Sequence, residues 1–158
     1  MITRAIHQAL AANDHRLELL IRFGAYLGLR CAEIARVHAR DWDGELLIVH
    51  GKGGKRRALP VADPTLKMAL NTATGYLFPG GTEGHLSPGH VSKLLSRGLP
   101  DGITGHMLRH RFGTKGYEAT RDLLAVGAAL GHSKPETTQR YIRLPSDAIV
   151  AVVSGASS

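Results

Sequence analysis

The chain has 158 residues, 43% of them hydrophobic, which is enough for one domain with a real core and too few for two comfortable ones. It holds no run of 18 apolar residues and no apolar stretch near its start, so neither a membrane span nor secretion is expected, and the cytoplasm is the expected location. Lys and Arg number 20 against 13 Asp and Glu, a net +7 before any of the nine histidines is protonated; a basic surface of this kind points to a polyanionic partner, nucleic acid first.

The first predicted element is a short helix over 3–12, followed by Asn13-Asp14 as an N-cap for the next. From 17 to 29, Leu17, Leu20, Ile21, Gly24 and Leu27 repeat at helical spacing, while Leu19, Phe23 and Tyr26 fall off that stripe. A helix apolar nearly all round is expected at the buried centre of the domain, broken at Gly28. Residues 31–38 read as a second short helix. Its lone cysteine, Cys31, cannot form an internal disulfide and speaks against a zinc–thiolate site. Arg30 and Glu33 stand three apart and can meet across one turn. They are either a surface ion pair of little energetic value or an arginine held ready for an anionic ligand. The run A-E-I-A-R-V-H-A-R-D (32–41) also matches the first half of a helix-turn-helix.

Asp43-Gly44 is a turn, and Leu46, Leu47, Ile48 and Val49 make 45–50 a strand. Gly51 to Arg57 forms a glycine-rich basic turn, and 57–61 returns as the partner strand. The tip carries Lys52, Lys55, Arg56 and Arg57, and its glycines allow close approach to another molecule, so it is expected to contact DNA. Pro64 opens a helix to about 73; 76–79 is extended, 80–84 a loop, and Ser87-Pro88 starts a helix to 97 with Val91, Leu94 and Leu95 inward. His85 and His90 have no ligand partner in view and read as surface or DNA-contacting. Lys93 on this helix and Arg111 on the next join the expected DNA contacts.

Thr104 is placed to cap a helix over 105–118, on which His106 and Arg109 share a face while Leu108 and Phe112 turn to the core. His106 and His110 have metal-compatible spacing but no third ligand, so no metal is expected. A helix over 121–130 ends at Gly131, leaving His132 on a turn. A helix over 136–142 carries Tyr141 in its last turn. Ile149, Val150, Val152 and Val153 suggest a final small helix over 146–153 that docks on its own domain or on a neighbouring subunit, before a disordered end at 154–158. The expected fold class is α+β, mainly α-helical with a small antiparallel β-hairpin at one edge, in one domain over 1–153.

The segments G-L-R-C-A-E (28–33), G-K-G-G-K-R (51–56), H-M-L-R-H (106–110), L-G-H (130–132) and T-T-Q-R-Y (137–141) stand in this order. Together they resemble the catalytic domain of the tyrosine recombinases, the phage-integrase family, over about 14–145. The resemblance implies that Tyr141 attacks a DNA phosphodiester, displaces the 5′-oxygen and leaves a 3′-phosphotyrosyl link that needs neither ATP, cofactor nor metal. It implies that Arg30 and Arg109 clamp the non-bridging oxygens, because a planar guanidinium matches two oxygens at once. His106 would be the general base and Lys52 the general acid, with Lys55 as the alternative. His132 would donate to the phosphate, Glu33 would orient Arg30, and His110 would support Arg109. The implied partners are double-stranded DNA, a tetramer assembled on it, and a host bending factor and directionality factor, in phage or mobile-element integration and excision. Type IB topoisomerases use similar residues, and a helix-turn-helix regulator is the alternative from another class. The upstream helical domain that family members use to close around DNA is not expected in this chain, which predicts weak, salt-sensitive DNA binding.

Overall fold

The helix with the most apolar surroundings organises the fold. The computed structural model describes residues 1–132 and 147–158. In it α2 (His15–Leu27) buries Leu20, Ile21, Phe23, Ala25 and Leu27, each at 1% exposure or less. Asp14 accepts the Leu17 N–H at its start, and Gly28 stops it in the left-handed region at φ 67°. Each buried Leu or Phe of this helix contributes roughly 1.5–3 kcal/mol of apolar burial. Helix α1 (Ile2–Ala11) packs on one side of it. On the other side α6 (Gly105–Thr120) crosses so closely that a Cβ at Gly24 would lie 2.9 Å from Leu108 Cδ1, and one at Gly28 2.5 Å from Phe112 Cδ1.

Between them, α3 (Cys31–Ala35) leads through a 3₁₀ turn (Ala39–Asp41) into the hairpin of β1 (Leu46–His50) and β2 (Arg56–Pro60). The strands are antiparallel, with Leu47 opposite Leu59 and Val49 opposite Arg57. A second 3₁₀ turn (Lys52–Gly54) forms the tip, where Gly53 and Gly54 take φ of 72° and 73°. Helix α4 (Pro64–Thr72) starts on the Asp63 cap, and Arg22 ties that residue to Glu18 of α2. Strand β3 (Pro79–Thr82), α5 (Pro88–Gly98) on the Ser87 cap, α6, α7 (Leu123–Leu130) and α8 (Asp147–Ala156) complete the described elements. None of the described helices is long and apolar enough to cross a membrane. Among the described residues the architecture is mainly helical with one two-stranded antiparallel sheet, as the composition and patterning led us to expect.

Several local expectations are corrected. Helix α3 stops at Ala35, not at 38, because the Val37 carbonyl accepts the Leu77 N–H and His38 bridges Tyr76. It is followed by a 3₁₀ turn and a hairpin, so the helix-turn-helix reading lacks its second helix. The expected 80–84 loop is partly extended, with His85 bridged to both Pro79 and Thr82. His85 is buried, with its Nδ1–H donating to the Leu86 carbonyl at 2.7 Å, and does not face solvent or DNA. Thr104 occupies the N-cap position without a side-chain hydrogen bond. Helix α7 begins at Leu123 because Arg121 adopts φ 55° and Asp122 caps the Ala125 N–H. The end expected to be disordered is instead helical through Ala156, which is fully buried. Val152 packs against Gly116 and Gly155 against Ala119, so α8 docks on its own domain. The predicted 136–142 helix, and Tyr141 with it, lies outside the described residues.

Candidate active site

The carboxylate of Glu33 is the hub. It sits one turn into α3 at 4% exposure and would be costly to bury alone. Arg57 satisfies it from β2 with two parallel bonds, Nη1 to Oε1 at 2.9 Å and Nη2 to Oε2 at 3.1 Å. Arg30 satisfies it from the adjoining N-cap, through its backbone N–H to Oε2 at 2.9 Å and Nη1 to Oε1 at 3.2 Å. Burial by itself raises the Glu33 carboxyl. The hydrogen bonds and charge of Arg57, the Arg30 N–H and the charge of Arg109 outweigh it, and the group titrates below its ordinary range. The Arg30 side chain stays 46% exposed, so its guanidinium is anchored at one edge and open at the other.

Arg109 comes from α6 and is 6% exposed. Among the described residues no carboxylate pairs with it directly. Nη1 donates to the Gly28 carbonyl and Nη2 to the Leu130 carbonyl, both at 2.7 Å. These are the final carbonyls of α2 and α7, where the helix dipoles are negative, so two helix ends hold one buried cation. Burial, then the charges of Arg30 and Arg57, bring its pKa down to about 10 against the pull of Glu33, and it remains charged at neutral pH. A guanidinium carries five N–H donors, and these contacts leave some for another acceptor.

Gly131, at φ 76°, ends α7 and sets His132 beside this arginine, with Arg109 Nη2 3.3 Å from His132 Nε2. An arginine N–H can only donate, so Nε2 accepts and the ring proton resides on Nδ1. Burial first, then Arg109, Arg30 and Arg57, lower the His132 pKa. Among the described residues, Arg30 and Arg57 on the Glu33 carboxylate, with Arg109 close by, leave a formal excess of two positive charges beside the His132 imidazole. Such a centre suits an anion with several oxygens, and a phosphodiester meets that description.

The other expected residues divide. His106 is exposed on the first turn of α6, one turn before Arg109, and His110 is exposed on the next. Lys52, Lys55 and Arg56 are exposed at the hairpin tip, and Lys93 on α5. Among the described residues no three His, Cys, Asp or Glu side chains gather to hold a metal. Two of the expected DNA contacts are engaged within the domain. Arg57 is turned inward onto Glu33 and donates Nε to the Ala129 carbonyl at 2.8 Å. Arg111 donates Nη1 to the carbonyls of Ala25 and Ala156, at 3.1 and 3.0 Å, and lies over the Tyr26 ring, joining the ends of α2 and α8. The role of Arg57 had a readable signal. Once the hairpin register is known, it stands opposite the inward Val49, and directly opposed residues share a face.

A helical domain with this arginine–histidine centre defines an anion-directed class of protein, and the comparisons place it within a family. Residues 2–147 match the phage integrase family, and the chain belongs to it. A tyrosine recombinase XerC of Bradyrhizobium diazoefficiens is 33% identical over 150 residues, which cover 86% of this chain and 46% of that protein. The solved integrase from mycobacterium phage Brujita has a TM-score of 0.72 at 26% identity, over 90% of this chain and 50% of that one. A lambda integrase tetramer bound to a Holliday junction has the same fold, with a TM-score of 0.65 at 21% identity over 87% of this chain and 46% of that one. The chain spans about half the length of the curated relatives it matches.

Proposed function

We propose that this chain is the catalytic portion of a site-specific recombinase that cuts and rejoins double-stranded DNA through a 3′-phosphotyrosyl intermediate. The observation that supports the reading is the convergence of Arg30, Arg109 and His132 beside the Glu33–Arg57 pair, with positive charge in excess among the described residues. Tyr141 Oη attacks the phosphorus while the 5′-oxygen departs, and its proton passes to His106. An unperturbed tyrosine hydroxyl has a pKa of about 10, so it needs that base or strong local positive charge. Arg30 and Arg109 take the charge on the non-bridging oxygens, the role magnesium fills in many phosphoryl transfers. His132 donates from Nδ1, and Lys52 protonates the 5′-oxygen, with Lys55 as the alternative. Religation reverses these steps on a second DNA end, so the bond energy is retained.

DNA and a self-assembled tetramer are the proposed partners, supported by the lambda integrase tetramer on its Holliday junction. A host bending factor and a directionality factor complete the proposal, and the cytoplasm is where such an enzyme would meet DNA. For biological use we propose phage or mobile-element integration and excision, favoured by the Brujita integrase, while the relatives named XerC favour a bacterial recombinase. Recombination between two dissimilar attachment sites supports the first use, and recombination confined to two copies of one site supports the second. The activity itself is tested with a nicked suicide duplex carrying a candidate site. Covalent capture on a 3′-phosphate is expected for the wild type. Tyr141→Phe should lose the adduct and keep DNA binding; an undiminished adduct would remove Tyr141 from the reaction.

A further inference from the structure

We infer that Arg57 is a positioning residue, which sets the hairpin carrying Lys52 against the phosphate-clamping Arg30; this role rests on the recombinase reading above. The hairpin is only two strands, and its exposed tip has little apolar surface of its own to fix where it points. Leu47, Val49 and Leu59 seat the strands in the core, and Arg57 supplies the polar anchor at the root of the tip. In the register Arg57 pairs with Val49 and Arg56 with His50, so the tip springs directly from the anchored position. The Gly51 N–H to the Lys55 carbonyl, at 2.7 Å, closes that tip.

The guanidinium of Arg57 then meets three separate parts of the site. It fills both oxygens of Glu33, the carboxylate that also holds the backbone N–H and Nη1 of Arg30. It lies at the root of the tip, where a Cβ added at Gly51 would be 3.5 Å from Glu33 Oε1 and 4.0 Å from Arg57 Nη1. It abuts the turn into His132, since Nε donates to Ala129 and a Cβ at Gly131 would come 2.9 Å from Nη1. A planar fork of this kind is rigid, so moving any one of these parts moves the guanidinium against the other two.

The chemical consequence is specific. In the cleavage step the Tyr141–phosphorus bond forms, the bond to the 5′-oxygen breaks, and the proton of the Lys52 ammonium goes to that oxygen. Loss of Arg57 leaves the groups that hold Arg109 in place, Gly28 and Leu130, and leaves Arg30 bonded to Glu33. What it removes is the hydrogen-bonded tie between the hairpin and that centre. The defect should therefore fall chiefly on protonation of the leaving group.

The test is single-turnover cleavage of two nicked suicide duplexes, one with an ordinary phosphodiester and one with sulfur at the bridging 5′-position, a leaving group that needs no proton. On the ordinary duplex Arg57→Met should be slower by about 100-fold, the low end for losing general acid catalysis. On the sulfur duplex it should come within about tenfold of the wild type. Arg57→Lys keeps a cation without the fork and covers the case in which Arg57→Met fails to fold; it should show a smaller loss with the same rescue. Equal losses on both duplexes in a folded variant would overturn the positioning role and leave Arg57 as a purely structural or clamp-supporting residue. If the wild type is captured on neither duplex, the recombinase reading itself fails, and this role with it.

Discussion

Arg109 Nη2 lies 3.3 Å from His132 Nε2, which ties the imidazole to the most buried cation of the site and leaves its proton on the opposite nitrogen. Burial and the three nearby guanidiniums hold this ring below the ordinary histidine range. An NMR titration should therefore show His132 protonating below the ordinary histidine range. Arg30→Ala, which removes one of those charges from an exposed side chain, should move His132 back toward its ordinary value. The lowered pKa also makes stability depend on pH. Below about 6.5 the unfolded chain binds the proton first, so stability falls with pH until the folded ring is protonated too.

Glu33 gives a second and lower pH window. Its folded carboxyl is held below the ordinary range, so the stability it contributes is complete above about 4.3 and is lost as pH falls through the folded value. Its pair with Arg57 is buried, at 3% and 11% exposure, and removing one partner of such a pair costs about 3–5 kcal/mol. Glu33→Ala should lose about that much in urea unfolding at pH 7, and the difference from the wild type should shrink toward pH 3. A variant within about 0.5 kcal/mol of the wild type, the usual range for plain surface changes, would contradict the hub role.

Helix α8 is held by close packing and by Arg111. A Cβ at Gly116 would sit 2.6 Å from Val152 Cγ1, so Gly116→Val should displace α8 and cost about 1–3 kcal/mol. Arg111→Met leaves the Ala156 carbonyl without its donor and should speed amide exchange at Val152 and Val153. Unchanged exchange in both variants would mean that α8 is held by other contacts.

The different settings of the basic side chains predict a division among the cations. Arg56→Ala and Lys93→Ala each remove an exposed charge, and each should lower the slope of log Kobs against log salt for duplex binding by about 0.9. Arg111, tied to two helix-end carbonyls, should leave that slope unchanged when replaced by Met.

The parts legible in the sequence were those set by local chemistry. The N-caps at Asp14 and Ser87, the C-terminal glycines 28 and 131, and the alternation of β1 all specify their own neighbourhood. Arg30, Glu33, Arg109 and His132, which the motif order grouped, also lie near one another in the fold. What escaped depends on distant partners. Arg57 and Arg111 look like surface cations until Glu33, Ala129 and Ala156 are brought to them from 24, 72 and 45 residues away. His85 likewise reads as polar and free until Tyr76 closes over it with ring centroids 5.0 Å apart. The end of the chain looked too small and polar to fold, yet Gly155 is what lets α8 approach Ala119.

The central claim is that one phosphate is attacked by Tyr141 within the centre formed by Arg30, Arg109 and His132. Peptide mapping of the covalent adduct trapped on a nicked suicide duplex tests it most directly, because the chain has four tyrosines and only one is assigned the reaction. The DNA 3′-phosphate should be found on the peptide containing Tyr141, with no adduct from Arg109→Met. An adduct on Tyr26, Tyr76 or Tyr117, or one joined through a 5′-phosphate, would contradict it.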